Sequence, residues 1–80
     1  MLNRDIFSER LKQLKKNMDV SSVNLAKSLG IQKQSVSTWE NKKTIPSTDK
    51  LVELADYFNV SIDYLAGRTD NPDINKTESK

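Results

Sequence analysis

The sequence predicts an all-α protein, a compact five-helix bundle without strands, and three observations support this. Apolar side chains recur at spacings of three and four residues, which is the period of an amphipathic helix, whereas a half-buried strand would alternate. Only two glycines and two prolines occur in 80 residues, so the connections between helices should be short. Helix-starting polar residues and helix-ending glycines fall at the ends of the apolar runs.

The first two helices are defined by their apolar stripes and by the residues at their ends. We expect the first to begin near Asp5, as its N-cap. Its inward stripe is Phe7, Leu11, Leu14 and Met18, at offsets of four, three and four. The second helix follows Ser21 and ends at Gly30, because glycine readily takes the left-handed conformation of a helix C-terminus. Its inward residues are Leu25, Ala26 and Leu29.

The third helix covers about residues 33–40. Val36 and Trp39 lie three residues apart on one side of it, and Ile31 holds its entry. The pattern therefore predicts that Trp39 is buried and does not stack on a ligand.

The last two helices follow a loop at residues 41–45. Ser47 is expected to cap the fourth helix, whose apolar residues follow the i, i+3, i+4, i+7 pattern. These residues are Leu51, Leu54, Ala55 and Phe58. A short fifth helix opens at Ser61 and ends at Gly67. Its Ile62, Tyr64 and Leu65 could complete the core or form a surface for pairing with a second copy, and the sequence leaves both open.

Composition divides the chain into a domain, residues 1–67, and a tail, residues 68–80. The tail holds Pro72 and Ile74 but is otherwise polar or charged, so it cannot bury enough apolar surface to order itself. We expect it to be flexible.

Several classes of function are disfavoured by what the sequence lacks. It has no cysteine and no histidine, which removes the usual zinc and iron ligands, the thiol nucleophile and the best general base near neutral pH. We therefore expect no catalytic residue, no metal, no cofactor and no small-molecule site. No apolar run is long enough for a signal peptide or a membrane span, so the expected location is cytoplasmic.

Charge is distributed unevenly along the chain. Residues 22–43 carry four lysines against one glutamate, whereas residues 44–67 carry one lysine against four carboxylates. A domain with a basic front and an acidic back would be oriented by a polyanion before contact. The acidic residues Asp49, Glu53 and Asp56 have helical spacing and are interpreted as an ordinary solvated face.

Residues 22–42 have the pattern of a helix-turn-helix, with small Ala26 at the helix crossing and Gly30 in the turn. The chain resembles the phage-repressor-like family, which includes lambda repressor and Cro and is also called XRE-like. The matching residues are Arg10 to Lys12, Leu25, Ala26, Leu29 to Ile31, Ser35 to Asn41, Pro46, Ser47, Leu51, Leu54, Ala55 and Val60 to Leu65. The resemblance covers about residues 7–67. It implies a DNA-binding domain that acts on double-stranded operator DNA, commonly as a homodimer on a palindrome and commonly as a repressor.

By this resemblance the third helix is the recognition helix and enters the major groove. Its exposed residues are the expected base-contacting residues: Lys33, Gln34, Ser37 and Thr38. Glutamine can pair with adenine through two hydrogen bonds, and lysine can donate to guanine O6 and N7.

Phosphate contacts are expected on either side of the recognition helix. The candidates are Ser22, Gln32, Asn41, Lys42 and Lys43. The family typically has glutamine at the position of Ser22, which shortens the side-chain reach here. Lys42 replaces a glycine usual in the family, so either Asn41 or Lys42 should adopt a positive φ. Gln32 stands where the family often has a capping Ser or Thr, which predicts a weaker cap.

The lysines outside the expected DNA contacts have structural interpretations, and two other functions are open. Lys15 and Glu40 resemble the family's ion pair between the first and third helices, and Lys27 and Lys50 should be solvated. One alternative function is an antitoxin-like or adaptor module whose main partner is another protein. Another is a nuclease that uses the acidic helix and a metal.

Overall fold

A computed structural model describes residues 3–72 of the chain, and these residues form five helices and no strand. The helices are α1 (Arg4–Met18), α2 (Ser22–Leu29), α3 (Lys33–Glu40), α4 (Thr48–Phe58) and α5 (Ile62–Ala66). The expected fold class and helix order are therefore confirmed. The most extensive packing between helices joins α2 to α3, and α1 packs on both α3 and α5.

The N-cap of α1 is Asn3, so the expectation of Asp5 was wrong. Oδ1 of Asn3 accepts hydrogen bonds of 3.1 Å from the backbone N–H groups of Asp5 and Ile6. Asn and Asp are about equally good caps, so local preference could not decide between them. Tertiary structure does, because the N–H of Asn3 also donates to the carbonyl of Ala66, 2.9 Å away at the end of α5. Ser47 caps α4 as predicted, and Ser21 and Ser61 cap α2 and α5 at the residues where those helices were expected to start.

Both glycines adopt the left-handed conformation at helix ends, but only one is in close contact with another helix. Gly30 has φ +69°, and a Cβ there would meet open space. Gly67 has φ +82°, and a Cβ there would lie 3.1 Å from two side-chain carbons of Ile6. Gly67 therefore lets the end of α5 approach α1 closely.

The core is formed by the inward faces of all five helices. The fully buried apolar residues are Phe7, Leu11, Leu25, Val36, Leu54 and Leu65. Trp39 is buried as predicted and contacts Phe7 edge to face, with ring centroids 6.4 Å apart. Met18, which was expected to face inward, is 47% exposed. Ile62, for which the sequence left the core and a pairing surface open, is 41% exposed. Met18 lies on the same helical stripe as Phe7, but its side chain stays exposed at the end of α1.

The segment after α5 contacts the bundle as far as it is described. The N–H of Arg68 donates to the carbonyl of Asp63 at 2.8 Å, and the guanidinium of Arg10 donates to the carbonyl of Thr69 at 2.6 Å. Residues 73–80, most of the predicted tail, lie outside the described residues. The division at residue 67 therefore stays a prediction.

Candidate nucleic-acid interface

The start of α3 presents polar side chains to solvent on a rigid base. Val36 and Trp39 anchor the inner side of the helix in the core, while Lys33 and Gln34 are exposed. Gln32, the N-cap residue, is exposed and its side chain makes no capping hydrogen bond, which agrees with the weaker cap expected. The first turn of α3 therefore presents polar side chains to a ligand together with the N–H groups of Lys33 and Gln34, whereas the N–H of Ser35 donates to the carbonyl of Gln32 at 3.0 Å.

Ser37 and Thr38 are half-buried, whereas the sequence predicted that both are exposed. Oγ1 of Thr38 donates to the carbonyl of Ser35 at 2.9 Å and accepts a hydrogen bond of 2.9 Å from Oγ1 of Thr44. The carbonyl of Thr38 also accepts from the N–H of Lys43 at 3.0 Å. The loop after α3 folds back on these atoms, a contact that no helical pattern could reveal.

The turn that ends α3 resolves which residue takes the unusual backbone conformation. Lys42 has φ +66°, whereas Asn41 has φ −91°. The N–H of Lys42 donates to the carbonyl of Trp39 at 3.2 Å. Lys42 therefore occupies the left-handed position where the family usually has glycine.

Lys42 and Lys43 differ in how far their charges are already engaged. The ammonium of Lys42 lies 3.8 Å from a carboxylate oxygen of Asp5. The backbone carbonyl of Lys42 accepts a hydrogen bond from the guanidinium of Arg4 at 3.4 Å. The side chain of Lys43 is exposed, and no carboxylate within residues 3–72 pairs with it. Of these two neighbouring candidates, Lys43 is the free cation.

Ser22 is the first residue of α2, and its hydroxyl belongs to a network with Lys15 and Glu40. The ammonium of Lys15 donates to Oγ of Ser22 and pairs with the carboxylate of Glu40. The side chains of Lys15 and Glu40 are only 14% and 18% exposed, so the expected ion pair between α1 and α3 is present and largely buried. Because Lys15 supplies a donor to Ser22, the hydroxyl hydrogen of Ser22 remains for another acceptor.

The first N–H groups of α2 reinforce the role of Ser22. A helix leaves its first N–H groups without helical acceptors, and together with the helix dipole they favour an anion. Oγ of Ser21 accepts a hydrogen bond of 3.1 Å from the N–H of Asn24. The N–H groups of Ser22 and Val23 come before it in the helix and can therefore bind an anion at the N-terminus of α2.

Lys50 is engaged in the fold, so the expectation that it is merely solvated was wrong. Its ammonium donates to the carbonyl of Leu29 at 3.0 Å and lies 3.3 Å from the carboxylate of Glu53. A cation at the carboxyl end of α2 interacts favourably with the helix dipole. Lys50 therefore holds α4 against the turn at Gly30, a contact between segments that are distant in sequence.

Membrane insertion and metal binding are two further possibilities for the part of the chain that the structure describes. None of its helices is both long and apolar enough to cross a bilayer. No group of three or more potential metal-ligating His, Cys, Asp or Glu side chains lies together there. The acidic residues Asp49, Glu53 and Asp56 of α4 are exposed.

Comparison with known proteins assigns a family to this geometry. The family model described as helix-turn-helix matches residues 11–65, which is more than half of the chain. Among curated proteins, the chain is 41% identical over 68 residues to the uncharacterized HTH-type transcriptional regulator YobD of Bacillus subtilis. The match covers 85% of this chain and 61% of YobD. The chain therefore spans less than two thirds of that relative.

Two solved structures have the same fold. The solution structure of the SOS-response transcriptional repressor LexA from Eubacterium rectale has a TM-score of 0.75 at 35% identity, covering 79% of this chain and 67% of that one. The DNA-binding domain of the C2 repressor of phage P22 has a TM-score of 0.71 at 28% identity, covering 80% and 84%. The chain thus belongs to the phage-repressor-like helix-turn-helix family of transcriptional regulators.

Proposed function

We propose that this chain is a sequence-specific DNA-binding transcriptional regulator that represses by placing α3 in the major groove of a palindromic operator, as a homodimer. The observation that carries the proposal is the two-sided character of α3. Lys33 and Gln34 face solvent at its start, while Val36 and Trp39 hold its other side in the core. The names of the P22 C2 and LexA relatives, both repressors, support this reading. A protein that acts on operator DNA would work in the cytoplasm.

The residues at the exposed start of α3, Lys33 and Gln34, would contact the bases. The amide of Gln34 offers a donor and an acceptor that match adenine, and the ammonium of Lys33 suits guanine. Ser37 and Thr38 lie further along the helix and are half-buried, so they would reach bases only where α3 is inserted deeply. Because a recognition helix contacts base edges mainly through its N-terminal residues, Lys33 and Gln34 should dominate specificity.

Phosphate contacts would position the domain on the duplex. Lys43 brings a free ammonium, and Ser22 brings a hydroxyl next to the open N–H groups of α2. Asn41 and Gln32 are exposed at the two ends of α3 and can add neutral donors. Lys42 should contribute less, because its ammonium already lies near Asp5.

Homodimer formation would raise the affinity of this small domain for DNA. A single small domain buries a modest DNA interface, and linking two of them raises the overall affinity through effective concentration. Ile62 on α5 is an exposed apolar residue at the end of the domain where a second copy could pack. Two-fold symmetry would then require half-sites separated by about one helical turn of DNA, roughly 34–36 Å.

Selection of bound fragments from random duplex DNA tests the function directly. The full chain should enrich one shared palindrome, and that palindrome placed over a promoter should lower reporter expression when the chain is present. The variant carrying Lys33→Ala and Gln34→Ala should enrich nothing. A wild-type chain that enriches no shared sequence would contradict sequence-specific binding, and raised reporter expression would contradict repression.

A further inference from the structure

Two threonine hydroxyls form a short hydrogen-bonded chain beside the last turn of α3. The hydroxyl of Thr38 donates to the carbonyl of Ser35, and the hydroxyl of Thr44 donates to Oγ1 of Thr38, both at 2.9 Å. Thr44 is exposed and lies in the loop after α3, six residues beyond Thr38. A side chain outside the helix thus contacts a candidate base-reading residue.

This chain fixes what Thr38 can offer to DNA. A hydroxyl has one hydrogen to donate and two lone pairs to accept with. The hydrogen of Thr38 goes to the carbonyl of Ser35, which can only accept, and one lone pair takes the hydrogen of Thr44. One lone pair and the side-chain methyl remain. Toward a ligand, Thr38 is therefore a hydrogen-bond acceptor and not a donor.

The same residue also holds the loop that carries the free lysine. The carbonyl of Thr38 accepts from the N–H of Lys43 at 3.0 Å and from the N–H of Thr44 at 3.4 Å. The backbone and side-chain contacts together keep Thr38 and Thr44 in one relative position. A base contact by Thr38 and a phosphate contact by Lys43 would thus share one rigid frame.

We propose that Thr44 is a positioning residue for DNA recognition, acting through Thr38, and that Thr38 selects an amino base at one position of the operator. In the major groove adenine presents N6–H₂ and cytosine N4–H₂, whereas guanine O6 and thymine O4 are acceptors that would face the oxygen of Thr38 unfavourably. The contacted strand should therefore carry adenine or cytosine there. This inference rests on the proposed function and adds to it the chemical class of one contacted base.

The test uses the full chain and four variants. Thr38→Val keeps the shape and removes the acceptor, and it leaves both backbone hydrogen bonds to the Thr38 carbonyl in place. Thr44→Val removes the positioning hydroxyl, and the double variant combines the two. Thr69→Val is the matched control, because Thr69 lies beyond α5 and its hydroxyl accepts a hydrogen bond from the N–H of Asn71. The selected operator is then substituted with all four bases at each position, and each duplex is titrated by competition.

Wild-type protein and Thr69→Val should prefer adenine or cytosine at one position per half-site by about two- to tenfold, the range expected for one hydrogen bond. Thr38→Val should abolish that preference, and Thr44→Val should reduce it with no change at the other positions, in salt slope or in unfolding midpoint. The double variant should match Thr38→Val, because Thr44 acts through Thr38.

Three results would overturn the inference while leaving the proposed function standing. One is a wild-type profile for Thr44→Val at every position, and another is a Thr38-sensitive position that prefers guanine or thymine. The third is a double variant that loses more at that position than Thr38→Val alone. Selection that yields no shared sequence would instead remove the proposed function, and this inference with it.

Discussion

The side-chain amide of Gln34 is exposed in the first turn of α3. If it makes two hydrogen bonds to a base, Gln34→Ala should reduce the discrimination between operator and random DNA by about 1–3 kcal/mol. Competition titration of the two DNAs measures this ratio. Gln13→Ala, an equivalent truncation on the exposed face of α1, should leave it unchanged. An operator-to-random ratio for Gln34→Ala equal to that of wild type would exclude Gln34 from base contact.

Lys42 and Lys43 are neighbours in sequence but should differ in their effect on DNA affinity. Lys43→Ala should weaken specific and random binding alike and make the salt dependence shallower by about one unit, because it would remove the phosphate contact that we propose for Lys43. Lys42→Ala should change the slope less, since the Lys42 ammonium already lies 3.8 Å from Asp5. Binding isotherms at several salt concentrations give both slopes.

Arg68→Ala serves as the control for net charge in the same titrations. Arg68 is exposed beyond α5, outside the lysine-rich stretch of residues 22–43, so its removal should leave the slope unchanged. Equal slopes for Lys42→Ala and Lys43→Ala would contradict the difference that we infer from their contacts.

At the scale of helices, the two glycine ends offer a matched comparison. Gly30→Ala should destabilise the fold by about 1 kcal/mol, because it forces a side chain into a left-handed conformation. Gly67→Ala meets the same strain and also places its Cβ 3.1 Å from Ile6, so its loss should be larger, about 2 kcal/mol or more. Urea unfolding gives both values. Equal losses would show that α1 and α5 do not meet as closely as described.

At the same scale, the prediction of helices succeeded where the evidence was local. Helix spans, the serine caps of α2, α4 and α5, and the burial of Trp39 follow from period, capping and spacing. The N-cap of α1 was missed because two good caps lie two residues apart. Only the hydrogen bond from Asn3 to Ala66 favours one of them.

For the whole molecule, pairing of two copies can be tested with two exposed apolar residues. Ile62 on α5 is 41% exposed and Met18 at the end of α1 is 47% exposed. If α5 forms the dimer surface, Ile62→Asp should lower affinity for the full palindrome by at least about tenfold and leave affinity for a half-site unchanged. Met18→Asp should alter neither. Sedimentation with each DNA gives the stoichiometry. If two Ile62→Asp chains bind the full palindrome as tightly as two wild-type chains do, α5 is excluded as the dimer surface.

The distribution of charge also belongs to the whole chain. Net charge is only +2, yet the lysine-rich stretch of residues 22–43 precedes an acidic stretch at residues 44–67. A field of this kind steers the encounter with a polyanion more than it stabilises the fold. Association with DNA should therefore slow as salt rises.

The sequence by itself determined the fold class, the five helices and the positions from which a base-reading helix should project. These features depend on the period of the apolar residues and on contacts within a few residues, so they can be predicted from the sequence. It also identified the ion pair of Lys15 with Glu40, through the family resemblance.

Only the tertiary structure decided which polar groups remain available to DNA. It pairs Lys42 with Asp5, directs Lys50 to the end of α2 and joins Thr44 to Thr38. Each of these contacts connects residues of different segments, and hydrogen-bond geometry depends on distances that no sequence pattern encodes. A residue type at a given position states what a side chain can donate or accept, and the packed chain determines what it has left to offer.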